Sequence, residues 1–565
     1  VKNLVFLGSL LLLGLAYLLN LGSFYAPTNG DEMVYLHIAR MTSESGHLLP
    51  LQSELQNMRN TKPPLLFWQA MAAGSWGWDL WTLRLPYVLE TLLTSGIVGW
   101  LTGYLIRVRS SFNLLAAALY LGFFATYRYG RPVLSSSIES LFLFGGCALV
   151  IAKQESWKAY PVRLAVVLGL LMIPALLSKS FALAVPVGLW LFLSLWIIQK
   201  DQDSFPFGLS LSKASIQRFW QSAWPSALAV AIGVAGFALW FAFDPDPSAV
   251  WREFIVGENF STKFSGVRSD SITLFWLSPL TNAGMLFPLV IGLGLAALQA
   301  MRDKDSRLPI EEKLLWLWVF SWMLVFTLPS QRSSRYIIPA MPAVAVLLAM
   351  YADRIHRAWW LLTLALVASA TLVLGWAAHS LNTVFPVGLG YSLFYFVAIG
   401  ALLLACAIGF LSARFRVLLT AAGAVAWLAL LGALAAPFDR GLGRFDARVT
   451  QVVAGQKLMV PQNFNAQFER FQFALHTVPR VQPLPYMASE AVSPASLLQQ
   501  APYAIITRPL RIAKPVEEVG YNIIATRLVL RGRQDPGEVT WDSITDAKAL
   551  AHLLVEREVL IGTKN

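Results

Sequence analysis

Residues 359–378 read WWLLTLALVASATLVLGWAA, an uncharged run. At 1.5 Å per residue it makes a helix about 30 Å long, which matches the hydrocarbon core of a bilayer. Similar apolar runs recur at about 3–22, 84–106, 112–128, 132–152, 161–179, 182–199, 222–243, 281–300, 313–328, 336–352, 390–411 and 416–436. That gives about thirteen candidate spans, ending near Pro437. The chain has 565 residues, 56% hydrophobic and 13% charged, and a mean hydropathy of +0.57. A soluble chain could not hide so much apolar side chain, so the expected fold class is a polytopic α-helical membrane protein.

Basic residues fall in alternate loops: Lys2, Arg107/Arg109, Lys153/Lys158/Arg163, Lys200/Lys213/Arg218, Arg302/Lys304/Arg307/Lys313, Arg354/Arg357 and Arg414/Arg416. The positive-inside rule then predicts a cytoplasmic N-terminus and a C-terminus outside, as in a multi-pass protein of a bacterial inner membrane. The net charge of +12 reflects this topology and attraction to anionic lipid, and no nucleic-acid signature accompanies it. The length of the first run, with Pro27 just after the only plausible cleavage position, favours a retained helix over a signal peptide. Cys147 and Cys406 lie within spans and read as inert buried thiols, and the six histidines have no metal-ligand spacing.

Three pieces lie outside the membrane. In the first outer loop, about 23–82, Thr28-Asn29-Gly30 announces a helix that ends at Ser45-Gly46. Pro63-Pro64 opens a second short run, Leu65 to Trp76. Both are too short to span and read as helices lying in the interface. The second outer loop covers about 244–280. The third piece, from Phe438 to Asn565, loses its Trp content and gains short β-like runs at 503–507 and 522–525, which predicts a small α/β or α+β domain after a membrane domain of 1–437.

The candidate chemistry sits at the outer mouth of this bundle. Asp31 and Glu32 suit a general base or an ion ligand, and equally the first turn of a helix capped from Thr28. Tyr35, four residues on, shares the Asp31 face. Lys62 precedes two prolines that fix its backbone, as a point charge for phosphate or as an interfacial anchor. Arg84 opens the second span and Arg131 the fourth. Glu139 lies about two turns into a span, where an ionisable group is costly unless paired or hydrated. Lys179 and the Arg332–Arg335–Tyr336 segment break the positive-inside trend at the outer face and suit a lipid phosphate, with headgroup anchoring as the plain alternative.

Together these residues resemble the GT-C superfamily of integral membrane glycosyltransferases, in particular the lipid A aminoarabinose transferases and protein O-mannosyltransferases. The resemblance rests on Asp31-Glu32, Lys62-Pro63-Pro64-Leu65, Arg84-Leu85-Pro86, Leu177-Ser178-Lys179 with Pro186, and Gly257-Glu258-Asn259 with Lys263-Phe264. Arg332-x-x-Arg335-Tyr336-Ile337-Ile338-Pro339 completes it, and the order runs through the whole membrane portion.

The resemblance implies an inverting transferase moving a sugar from a polyprenyl-phosphate carrier (undecaprenyl phosphate in bacteria) to a lipid, glycan or protein acceptor. It implies Asp31 as the key acid, with Glu32 beside it as the second candidate catalytic acid. Tyr35, Lys62, Arg84, Arg131, Glu139, Lys179, Glu258, Arg332, Arg335 and Tyr336 are the expected substrate contacts. In the aminoarabinose transferases an acid usually precedes Lys-Pro-Pro and an Arg falls three residues after the first acid. Here those positions hold Thr61 and Val34, which leaves a divalent cation open, and Ser135-Ser136-Ser137 occupies the approximate place of the family's second acid. A sugar-lipid transporter or flippase is the competing class. It would call for polar groups through the membrane midplane, whereas this chain gathers its ionisable groups at one face.

Overall fold

The computed structural model describes residues 2–25, 30–107, 111–198, 213–264, 271–302, 308–385, 390–462, 466–475, 477–488, 492–510, 521–532 and 537–563. The capping residue Thr28, together with Pro27 and several loop cations, lies outside them.

Among the described residues eight helices are long and apolar enough to cross a membrane: Leu80–Ile106, Pro161–Ser178, Phe181–Ile198, Ile216–Phe243, Ser278–Arg302, Arg357–Val384, Leu393–Leu411 and Ala413–Asp439. The other five expected spans are helical too, but short, interrupted or more charged. They are Lys2–Leu18 (α1), Ser111–Gly122 followed by Phe124–Gly130, Ser136–Ala152, Ile310–Thr327 and Ser334–Met350. Extended backbone at Phe123 breaks the second. A π-helical turn at Ser140–Phe144 lies within the third. The Leu80–Ile106 helix starts at Asp79, whose carboxylate accepts from the backbone N–H groups of Trp81 and Thr82 at 3.0 and 3.1 Å, which satisfies two donors that a helix start leaves open.

The two short helices expected between the first two spans appear, α2 at Gly30–Glu44 and α3 at Leu65–Gly74. α2 is more deeply enclosed than an interfacial helix, since every residue from Glu32 to Arg40 is buried. The reason is the C-terminal domain. Its five-stranded mixed sheet consists of β1 (Lys457–Gln462), β2 (Gln482–Met487), β3 (Tyr503–Pro509), β4 (Tyr521–Leu530) and β5 (Val555–Thr563), in the order β2-β1-β3-β5-β4. β1 runs parallel to β2 and β3, while β5 is antiparallel to β3 and β4. Leu458, Val460, Phe468, Phe471 and Leu560 share one apolar cluster with Val34, Leu36, Ile38 and Phe67. The domain and the outer-loop helices thus bury one another.

Polar contacts fix this junction. Glu469 accepts from Arg40 at 2.6 and 3.0 Å and lies 3.0 Å from His37 Nδ1. His37 Nε2 accepts from the Glu54 backbone N–H at 3.2 Å, so the ring is held with its proton on Nδ1, facing Glu469.

Near the N-terminal end of Ser278–Arg302, Gly284 has φ +60°, and a Cβ there would stand 2.4 Å from the Phe124 Cβ. Its neighbour Asn282 donates to the Ser334 carbonyl at 2.8 Å, so this turn places the 334–340 segment. Gly284→Ala is expected to cost about 1–3 kcal/mol in thermal unfolding, from backbone strain before any clash is counted.

Candidate functional site

Five segments far apart in sequence converge where the bundle meets the C-terminal domain. They are the start of α2, the 59–64 loop, the turn at 179–180, the π-helical stretch Val250–Ser261 with its following turn, and residues 330–336. Each is fixed locally. Arg59 reaches Asp246 at 2.6 Å and Glu253 at 3.4 Å, and Asn60 donates to Glu253 at 3.1 Å. These contacts pin the lysine loop against the π-helix. Ser180 donates to Asn259 at 2.8 Å, and the Lys263 carbonyl accepts from the Gln331 N–H and the Ser330 hydroxyl, both at 3.0 Å. A π-helix widens the turn and re-aims side chains, which is why such stretches often sit at functional sites.

Ion pairs join these segments. Arg335 donates to Asp31 in a short contact, with the two side chains 34% and 24% exposed. Lys62 Nζ lies 2.9 Å from Glu258 Oε1 and stands over the Tyr35 ring at 5.9 Å. Lys263 Nζ donates to the Tyr336 hydroxyl at 2.7 Å and to Gln331 at 3.0 Å, with Glu258 3.9 Å away. Lys179 pairs with Glu139 at 2.9 Å and, like Lys263, lies within 6 Å of the Tyr336 ring centroid. Ser135 donates to the other Glu139 oxygen at 2.6 Å.

The electrostatics follow from this crowding. Burial pushes the Asp31 carboxyl up, but Arg335, Lys62 and Lys263 outweigh it and hold Asp31 below its ordinary value. Glu258 behaves likewise under Lys62 and Lys263. Burial alone would lower Lys62, yet Glu258 keeps it raised. Lys263 differs: burial, with Lys62 and Arg335 nearby, lowers it to about 8 despite Glu258. Burial lifts the Tyr35 phenol to about 12, against the pull of Lys62. Three cations, Lys62, Lys263 and Arg335, thus face two acids, Asp31 and Glu258, with all five side chains 11–34% exposed, and the surplus positive charge suits a further anion.

Not every residue singled out in the sequence joins this group. Glu32, adjacent to Asp31, turns inward and accepts both arms of Arg84 at 2.7 Å, plus the Val133 N–H at 2.9 Å. Arg84 also donates to the carbonyls of Leu21 and Ser23 at 2.7 and 2.6 Å. Arg131 donates to the carbonyls of Tyr17 and Leu19 at 2.9 and 2.7 Å and stacks on Tyr127. All three are 0–1% exposed. Their contacts tie α1 and α2 to the bundle, away from the ion pairs around Asp31. Arg332 spends its Nε on the Thr327 carbonyl at 3.0 Å, capping the end of Ile310–Thr327.

Lys263 is the residue the sequence reading passed over. It lies within the motif Gly257-Glu258-Asn259 with Lys263-Phe264, and the signal that picks out Lys179, a lysine in a loop between spans, applies to it equally. Among the described residues no three His, Cys, Asp or Glu side chains come together as a metal would require. The Thr61 hydroxyl, where the resemblance expects an acid, is buried without a partner. This donor set does not suit a divalent ion.

The chain shares its architecture with solved structures of one bacterial protein. Its overall fold matches the crystal structure of ArnT from Cupriavidus metallidurans bound to undecaprenyl phosphate, with TM-score 0.58 and 18% identity over 99% of this chain and 97% of that one. The apo structure of the same protein matches with TM-score 0.58 and 16% identity over 92% and 95%.

Among curated proteins, the undecaprenyl phosphate-alpha-4-amino-4-deoxy-L-arabinose arabinosyl transferase of Yersinia pestis (strain Pestoides F) is 25% identical over 329 residues. That alignment covers 57% of this chain and 54% of the relative. The transferase of the same name from Enterobacter sp. (strain 638) is 27% identical over 357 residues, or 61% and 59%. The match therefore spans little more than half the length of these relatives. No protein-family model matches the chain.

Proposed function

We propose that this protein transfers a sugar from a polyprenyl-phosphate carrier to a lipid acceptor at the outer face of the inner membrane, with inversion in a single displacement. The observation that carries this reading is the ring of Lys62, Lys263 and Arg335 around Asp31 and Glu258 at one end of the bundle. The named transferase relatives and the shared fold support it. An N-terminus in the cytoplasm and a domain outside belong to the same proposal and follow from the distribution of basic residues.

Each cation of the ring has an acid as its partner. A diester phosphate entering between them competes with those acids, so Arg335 and Lys62 exchange a carboxylate for phosphate oxygens. Both then stabilise the phosphate as it leaves and gains charge. Arg335 released from Asp31 also removes the main force depressing that carboxyl, so donor binding itself raises the basicity of Asp31. The freed carboxylate accepts the proton of an acceptor hydroxyl, or orients the acceptor where its nucleophile is already a phosphate oxygen. Most of the remaining acceleration comes from holding two lipids in register.

The test is transfer by purified protein in lipid, supplied with radiolabelled polyprenyl-phosphate sugars and crude envelope acceptors. Label moving to an envelope lipid supports the reading, and no movement across a broad donor panel refutes it. A pH dependence comes with it. Lys263 carries its charge below about 8 and loses it above, so donor affinity should fall as pH rises through about 8. Titrating undecaprenyl phosphate at pH 7 and 9.5 should show a drop of roughly ten-fold, the worth of one charge-assisted contact. Lys263→Arg, which stays charged, should flatten the curve.

A further inference from the structure

The C-terminal domain holds a second gathering of charge, apart from the ring around Asp31. Its strands β2, β1 and β3 are parallel and lie side by side in that order. The connection from β1 to β2 packs on the face turned to α2, where Phe468 and Phe471 join Leu458 and Val460. The connection from β2 to β3 packs on the other face, where Leu497 joins Met459 and Ala504. The winding thus reverses between β1 and β3. In open α/β sheets ligands sit outside the carboxyl ends of the strands at such a reversal.

The two strands also part there. They pair only at Leu458–Tyr503 and Met459–Ala504, yet β1 continues to Gln462 and β3 to Pro509. The carbonyls of Gln456 and Gln462 turn to β2, so Met459 and then Pro461 turn to β3. Pro461 has no N–H with which to continue the ladder. The Tyr486 hydroxyl, from β2, donates to the Ile505 carbonyl at 2.9 Å beyond the last pair.

Arginines crowd this end of the sheet. Arg508 on β3 lies directly opposite Arg557 on β5, a placement in which like charges repel. Among the described residues neither guanidinium has an acid as partner, and Arg557 Nη1 is buried with nothing to bond. Arg470 donates to Glu558 at 2.6 Å, while its Nε is buried without a partner. Arg527 takes the other Glu558 oxygen at 2.7 Å. Burial, with Glu558 nearby, lifts the remaining acid, Glu556, to about 7, so near neutral pH it is only partly charged. Burial and Glu558 push the Tyr486 phenol up, against Arg508 and Arg470, so these charges act around one ring. Gln462, the last residue of β1, adds a buried Oε1 that accepts from nothing.

Buried polar atoms are nearly always paired, so open donors on Arg470 and Arg557 beside an open acceptor on Gln462 need an explanation. We infer that the carboxyl ends of β1 and β3 form a binding site for a sugar phosphate, whose phosphate is taken by Arg508, Arg557 and Arg470 and whose hydroxyl donates to Gln462. Phosphate suits these arginines better than a carboxylate does, because it offers a third oxygen to their donors. The site is independent of the transferase reading, since it shares no residue with the ring of Lys62, Lys263 and Arg335.

The experiment is calorimetric titration of the full chain, in phosphatidylcholine nanodiscs, with glucose 1-phosphate, inorganic phosphate and glucose. Glucose 1-phosphate should bind saturably and more tightly than phosphate, and glucose should give no heat. Arg508→Gln and Arg557→Gln should each weaken binding roughly ten-fold, as when one charge-assisted partner is lost. Their melting temperatures without ligand should stay level or rise, because the facing charges are relieved. Gln462→Ala should erase the advantage of glucose 1-phosphate over phosphate. Adding phosphatidylinositol to the nanodisc separates two sources of the same chemistry. Competition would assign the site to a lipid headgroup, and lack of it to a soluble sugar phosphate.

No saturable binding to the wild type would overturn the inference. So would binding that both arginine variants leave unchanged, which would reduce it to diffuse attraction by a basic domain. A fall in melting temperature in both variants, with phosphate affinity per folded molecule preserved, would also overturn it and make the arginines packing residues of the sheet.

Discussion

Asp31→Asn is expected to lower the turnover of sugar transfer by roughly 10³-fold while leaving donor binding as tight as in wild type or tighter. The amide keeps the size of the carboxylate but loses its charge and its basicity. Arg335, no longer neutralised by Asp31, faces an incoming phosphate without a competitor, so the dissociation constant for undecaprenyl phosphate should not rise. Stability should hardly change, because the Asp31–Arg335 pair is partly open to solvent, at 24% and 34%, and such pairs contribute about 0–1 kcal/mol. The pattern to look for is thus a fall in kcat with donor affinity and melting temperature preserved. Loss of donor binding in the variant would mean that Asp31 shapes the phosphate site and has no part in the displacement. Undiminished transfer would reduce it to a helix-start acid.

Much of this architecture was legible in the sequence because it is dictated locally. Hydrophobic run length placed the helices, and Pro63-Pro64 and Ser45-Gly46 marked the outer-loop helices to within a few residues. The change of composition after Pro437 announced a sheet domain, with β3 and β4 where β-like runs were read. What could not be read is pairing at a distance. His37 and Arg40 look like the wet side of an interfacial helix, but their partner Glu469 lies more than 400 residues on. Arg84 at the mouth of a span resembles a phosphate contact until Glu32, 52 residues earlier, is seen to hold both its arms. Glu139 deep in a span announced a function by its cost, yet that cost is met by Lys179 and Ser135. In each case the residue type was informative and the partner was not, because an ion pair buried by tertiary packing leaves no periodic trace in the chain.

That difference between neighbours yields the second large effect. Glu32→Gln should behave as the mirror image of Asp31→Asn, with folding damaged and the chemistry lost only in proportion. Glu32 is 1% exposed and gives Arg84 its only carboxylate among the described contacts, both oxygens at 2.7 Å. Arg84 is as deeply buried and cannot reach water. Removing one charge from such a pair leaves the other uncompensated, at a cost of about 3–5 kcal/mol. The loss should appear as a lower unfolding temperature in detergent and faster proteolysis of the outer loop. The variant that survives should bind donor normally per folded molecule. Adding Arg84→Met removes the stranded charge, so the double variant should be more stable than Glu32→Gln alone, although the Leu21 and Ser23 carbonyls then lose their donor. If the double variant instead loses the sum of both single losses, the two residues act independently. If Glu32→Gln proves as stable as wild type but inactive, Glu32 belongs with Asp31 among the reacting groups, and its contact with Arg84 is one it leaves during turnover.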